Sequence, residues 1–90
     1  MTPILHQLYQ HRYGGIYIVD DVATHTGTKE RLVIYSHIYP FEQNAWARPI
    51  DEWTKERFRA ITTTEADALM SKDKTLFQEE INQARQASKG

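Results

Sequence analysis

Apolar and aromatic positions recur at every second residue over much of the first two thirds of the chain, then change to a helical spacing near its end. In Ile16-Tyr17-Ile18-Val19 the side chains at 16 and 18 project to one side and those at 17 and 19 to the other, as a pleated strand requires. This predicts a strand from Ile16 to Thr26, bent at Asp20-Asp21. Thr26-Gly27-Thr28-Lys29 reads as a hairpin loop with Gly27 at positive φ, and Arg31 to Tyr39 as the longest strand. On that strand Leu32, Ile34, Ser36 and Ile38 share one face, and Val33, Tyr35, His37 and Tyr39 share the other. Both faces are largely apolar, which favours a curved barrel over a flat sheet. Pro40 to Asn44 predicts a loop, Ala45 to Arg48 a third strand, Pro49 to Glu52 a helical turn, Trp53 a core plug, and Arg57 to Ile61 a closing strand. Ahead of Gly14-Gly15, Thr2-Pro3 predicts the start of a helical turn whose apolar face is Ile4, Leu5 and Leu8.

After Ile61, Thr62-Thr63-Thr64-Glu65 matches a capping box, in which hydroxyl and carboxylate satisfy free amides reciprocally, and predicts a helix to about Met70. Asp73 predicts the cap of a second helix, with Leu76, Phe77, Ile81, Ala84 and Ala87 as an apolar stripe opposite Gln78, Glu79, Gln83 and Arg85. The stripe is expected to pack on the barrel of its own chain; the alternative is a protein partner or homodimer gripped through Leu76, Phe77 and Ile81. The fold class is therefore mainly β with C-terminal α. An SH3-like, small, partly open β barrel spans residues 1–61, and a helical extension at 62–90 packs on it within a single domain.

Ninety residues supply one modest core. Eleven Lys and Arg against twelve Asp and Glu leave a formal charge of -1, so there is no global basic field of the kind that drives nonspecific nucleic-acid binding. Nucleic acid is not expected as a partner without a local patch. The absence of cysteine excludes disulfides, thiolate nucleophiles and Cys-ligated zinc, and predicts a reducing, cytoplasmic setting. With neither a signal-peptide pattern at Met1 to His6 nor a run of apolar residues long enough to span a bilayer, the chain is expected to be soluble and not membrane-bound.

Five short patterns stand in order along the chain: Tyr9-Gln10-His11 leading to Gly14, Tyr17-Ile18-Val19, Ala23-Thr24-His25, Val33-Ile34-Tyr35 and Trp46-Ala47-Arg48-Pro49. Over roughly residues 9 to 53 they resemble a small bacterial and phage family known as domain of unknown function 1653. Its members read Tyr-x-His-x-x-Gly, Tyr-x-Val, Ala-x-His, Val-Val-Tyr and Trp-x-Arg-Pro. The resemblance implies a fold and a candidate surface, and no reaction. This chain departs from the family pattern at Gly27, where the family usually has glutamate, and in its helical tail.

His11, His25 and His37 are separated by 14 and 12 residues, which matches no compact metal-ligand signature. Ser36, Ser71 and Ser88 stand in no nucleophile elbow, and Asp20-Asp21 reads as a solvated bend. No catalytic residue, metal or cofactor is therefore assigned. The stronger pattern is one of recognition. Trp46 and Arg48 emerge on one face of a short strand beside Tyr35, His37 and Tyr39, with Tyr17, His11 and His25 completing the candidate ligand-binding set. Aromatic planes stack flat rings, and the arginine fork matches phosphate or carboxylate. The expected function is a binding module for a small anionic, nucleotide-like ligand, with sequestration of a host signalling nucleotide by a phage as its extension. The alternatives are an adaptor docking a protein or nucleic-acid strand, and a small His-dependent hydrolase or lyase centred on His25, whose other role is to hydrogen-bond the hairpin loop.

Overall fold

The computed structural model describes residues 3–89, with side chains to residue 87; Thr2, the expected first cap, lies outside the described residues. Five strands, β1 (Leu8–His11), β2 (Ile16–Thr24), β3 (Arg31–Tyr39), β4 (Ala45–Pro49) and β5 (Phe58–Ile61), form one antiparallel sheet in the order β4-β3-β2-β1-β5. A single 3-10 turn, Ile50–Glu52, leads from β4 through Trp53 towards β5, and two helices follow, α1 (Thr63–Met70) and α2 (Lys74–Lys89). This is the small, partly open, SH3-like barrel with a helical extension that the sequence predicts.

The N-terminal segment differs from expectation. Residues 8–11 form a strand, not part of a helical turn, and Ile4 and Leu5 are exposed. The spacing of Ile4, Leu5 and Leu8 is helical, yet β1 gains its backbone partners from β2 on one side and β5, some fifty residues later, on the other. Tyr9 then turns inward against Trp53, ring centroids 5.2 Å apart.

Two register shifts shape the long hairpin. Val19 faces Tyr35 and Asp21 faces Ile34, so Asp20 is an extra residue that bends β2, as Asp20-Asp21 predicts. Its carboxylate accepts from the Ser36 hydroxyl. At the other end Ile16 faces Tyr39 while Tyr17 faces His37, leaving Ile38 as the extra residue on β3. A one-residue slip moves the following side chain to the opposite face. Tyr39 accordingly leaves the Tyr35–His37 face, where its sequence position puts it, and packs against the second buried cluster, Ile16, Ile61 and Ala66. Its hydroxyl donates to the Lys72 carbonyl at 2.7 Å. In the hairpin loop it is Lys29, and not Gly27, that takes positive φ.

The larger core cluster joins Tyr9, Tyr17, Val19, Val33, Tyr35, Trp53 and Phe58, with Trp53 fully buried and stacked on Phe58 at 3.8 Å. The Trp53 indole nitrogen is left there without a hydrogen-bond partner. The capping box forms as expected, with Thr62 and Glu65 each holding the other's backbone amide, and Asp73 accepts from the Leu76 amide to cap α2. On α2, Phe77 and Ile81 are buried but Leu76 is 59% exposed, so the buried stripe is narrower than predicted and excludes Leu76. The helix comes close to the β1–β2 turn because Gly14 carries no Cβ: one placed there would stand 2.9 Å from the Phe77 ring. The Gln78 amide adds a 2.7 Å hydrogen bond to the Pro40 carbonyl.

Candidate binding site

Register assembles the site. Tyr17 pairs with His37, Tyr35 with Trp46 and Val33 with Arg48, and cross-strand partners project to the same side of a sheet. His11 pairs with Phe58 at the β1–β5 end of the same face. Gly15 has no Cβ to separate the Tyr17 and His37 rings, which meet edge to face at 4.6 Å. From outside the sheet α2 contributes Arg85, whose guanidinium hydrogen-bonds Tyr17 and lies 5.5 Å from the Phe41 ring.

Two concavities open on this face. The first, about 340 Å³, is lined by Arg12, Arg48, Arg57 and Arg85 together with His11, Tyr13, Tyr17, Tyr35 and Phe58, and no carboxylate is among its lining residues. The second, about 280 Å³, is lined by Tyr17, Tyr35, His37, Glu42, Trp46, Arg48 and Arg85. They share Tyr17, Tyr35, Arg48 and Arg85, and so form one cleft. Two of the arginines are tied to neighbouring side chains. Arg48 donates to the Tyr35 hydroxyl at 3.2 Å and pairs with Glu52 at 3.1 Å, and Arg57 pairs with the same Glu52 oxygen at 3.2 Å.

The two histidines are neutral at pH 7. Burial, reinforced by Arg48, Arg12, Arg85 and Arg57, lowers the His11 pKa to about 4. Burial and then Arg85 lower that of His37 to about 4. His11 Nδ1 accepts from the Tyr13 amide and His37 Nε2 from the Phe41 amide, so in each ring the other nitrogen carries the proton. Burial likewise raises the Tyr17 hydroxyl pKa, keeping it a neutral donor. Among the described residues, no three His, Asp or Glu side chains gather as a metal-ligand set.

Of the residues predicted from sequence, Arg48, Trp46, Tyr35, His37, His11 and Tyr17 converge on the cleft. Tyr17 and Tyr35 do so as buried core rings, whereas Trp46 stands 51% exposed. Tyr39 is absent from the lining because of the bulge at Ile38. His25 is absent too: it sits at the tip of the hairpin, where Nδ1 accepts from the Gly27 and Thr28 amides, the loop-holding role. Arg12, Arg57 and Arg85 also line the cleft, and the sequence pattern does not mark them. Arg12 occupies a variable position of the Tyr-x-His-x-x-Gly pattern, Arg57 precedes β5, and Arg85 belongs to the polar face of α2. No local signal unites three residues from such distant segments.

No helix among the described residues is long and apolar enough to cross a membrane. Comparison with curated proteins and with solved structures returns no match. Residues 7–65, from just before β1 to the first turn of α1, match the family described as "Protein of unknown function (DUF1653)", and the chain belongs to that family.

Proposed function

We propose that this protein is a binding module, not an enzyme, and that its ligand is a small anion carrying a flat ring, a nucleotide in the simplest case. The observation that carries this reading is a concavity with four arginines and no lining carboxylate, continuous with a second that holds the exposed ring of Trp46 and one carboxylate, Glu42. Guanidinium forks match phosphate oxygens, and an aromatic plane adds about 1 to 3 kcal/mol per stacked base. Neutral His11 and the Tyr17 hydroxyl supply donors without further charge. The hydrolase alternative centred on His25 draws no support from the cleft: His25 is bound to its own loop, and Ser36 lies on the opposite face of β3 from Tyr35 and His37. A module that binds without turnover acts by holding its ligand, the chemistry of sequestration.

Native mass spectrometry of the purified protein, followed by calorimetric titration with nucleoside phosphates, tests the reading. A copurified or added nucleotide should bind, and Arg48→Ala should weaken binding by about 1.5 to 3 kcal/mol, the range for a hydrogen bond to a charged group. A wild-type protein that binds no nucleoside phosphate, or hydrolyses one, would contradict it. One observation favours a second reading, an adaptor that adds a strand. β4 is an edge of the sheet, with Ala45, Trp46 and Ala47 exposed along it.

A further inference from the structure

The cleft has an order along its length, and that order names the ligand more closely. Of these two concavities, Trp46 and His37 line the second and not the first, Arg12 and Arg57 line the first and not the second, and Arg48 and Arg85 line both; Arg12 and Arg57 also border an adjoining hollow with Lys55, Glu56 and Arg59. A nucleotide with its base against Trp46 therefore places its first phosphate between Arg48 and Arg85, and only a second phosphate extends to Arg12 and Arg57. Arg48 commits one N–H to Glu52 and one to the Tyr35 hydroxyl, Arg57 one to Glu52, and Arg85 bonds Tyr17; a guanidinium has five N–H groups, so the four together still offer donors over more of the cleft than one phosphate spans. Arg12 lies across the Tyr13 ring at 4.9 Å, and its backbone amide is tied to the Arg57 carbonyl at 2.8 Å, so the two residues of the far end are fixed side by side.

Building on the nucleotide reading above, we propose that the site takes a nucleoside diphosphate: Trp46 receives the base, Arg48 and Arg85 the first phosphate, and Arg12 with Arg57 the second. Arg85 comes from α2, outside the matched residues 7–65, so the first-phosphate subsite of this chain depends on an element beyond the family's matched region.

Calorimetric titrations of the full chain with a nucleoside monophosphate, the corresponding diphosphate and inorganic pyrophosphate test the assignment. The wild type should prefer the diphosphate over the monophosphate by about tenfold or more, as one additional charge-assisted contact implies. Arg12→Ala, a change at an exposed residue, should reduce that preference severalfold, with Arg57 still in place, while the monophosphate affinity changes much less. Arg85→Ala should weaken both nucleotides, and Trp46→Ala should weaken both nucleotides but not pyrophosphate. Equal wild-type affinity for mono- and diphosphate, or an Arg12→Ala loss shared equally by the two, would overturn the diphosphate assignment while leaving the nucleotide reading intact. Binding of neither nucleotide would overturn both.

Discussion

Arg48 serves the fold and the cleft at once, and the two contributions separate by magnitude. Its ion pair with Glu52 is partly solvent-exposed, 26% for the arginine side chain and 46% for the glutamate, and such pairs contribute about 0 to 1 kcal/mol. Arg48→Ala should thus lower unfolding free energy by less than about 1 kcal/mol in a urea titration, well below its predicted effect on binding. The histidines make a second residue-level prediction. Their folded-state pKa values near 4 lie below the ordinary 6.5, so between the two the unfolded chain binds more protons than the folded one. Stability from His11 and His37 is then complete above pH 6.5 and lost as pH falls from 6.5 towards 4. Thermal melts should show the melting temperature dropping between pH 6.5 and 5, above the carboxylate range; a flat profile there would contradict burial of these rings as neutral imidazoles.

At the scale of elements, α2 is anchored by two residues and α1 by its cap. Phe77→Ala should cost about 3 to 5 kcal/mol, the range for emptying a buried aromatic site, while Leu76→Ala should stay within about 0.5 kcal/mol. Gly14→Ala, at φ 120° and against the Phe77 ring, should cost at least about 1 to 3 kcal/mol. Thr62→Ala should cost about 0.5 to 2 kcal/mol. Chemical denaturation of the four variants checks the ranking. The same elements show which parts of the fold were legible in the sequence. The capping box, the Asp20 bend, the 3-10 turn and the buried Trp53 follow from chemistry within a few residues, and each appears where predicted. Local pattern does not show β1 because its partners are remote, nor the face of Tyr39 because a bulge at Ile38 reverses the alternation, nor the exposure of Leu76 because periodicity fixes the width of an apolar stripe but not its angle against a barrel.

For the whole molecule, the formal charge of -1 hides a segregated distribution: of six arginines, four line one concavity. Two-residue periodicity puts Tyr35 with His37 on one face of β3 and Trp46 with Arg48 on one face of β4, and the register then brings these pairs and Tyr17 to the same side. The gathering of Arg12, Arg57 and Arg85 around them is a property of the tertiary fold, since β1, the approach to β5 and α2 meet only when the chain closes. The proposal that this face binds a nucleotide-like anion can be read from amide and arginine Nε–H chemical shifts of the 15N-labelled protein during titration with a nucleoside diphosphate. Saturable shifts are expected at His11 to Tyr13, Tyr17, Tyr35 to His37, Trp46, Arg48, Arg57 and Arg85, with the 25–30 hairpin loop unmoved. Shifts confined to that loop or to the opposite face of the sheet, or none at millimolar ligand, would contradict it.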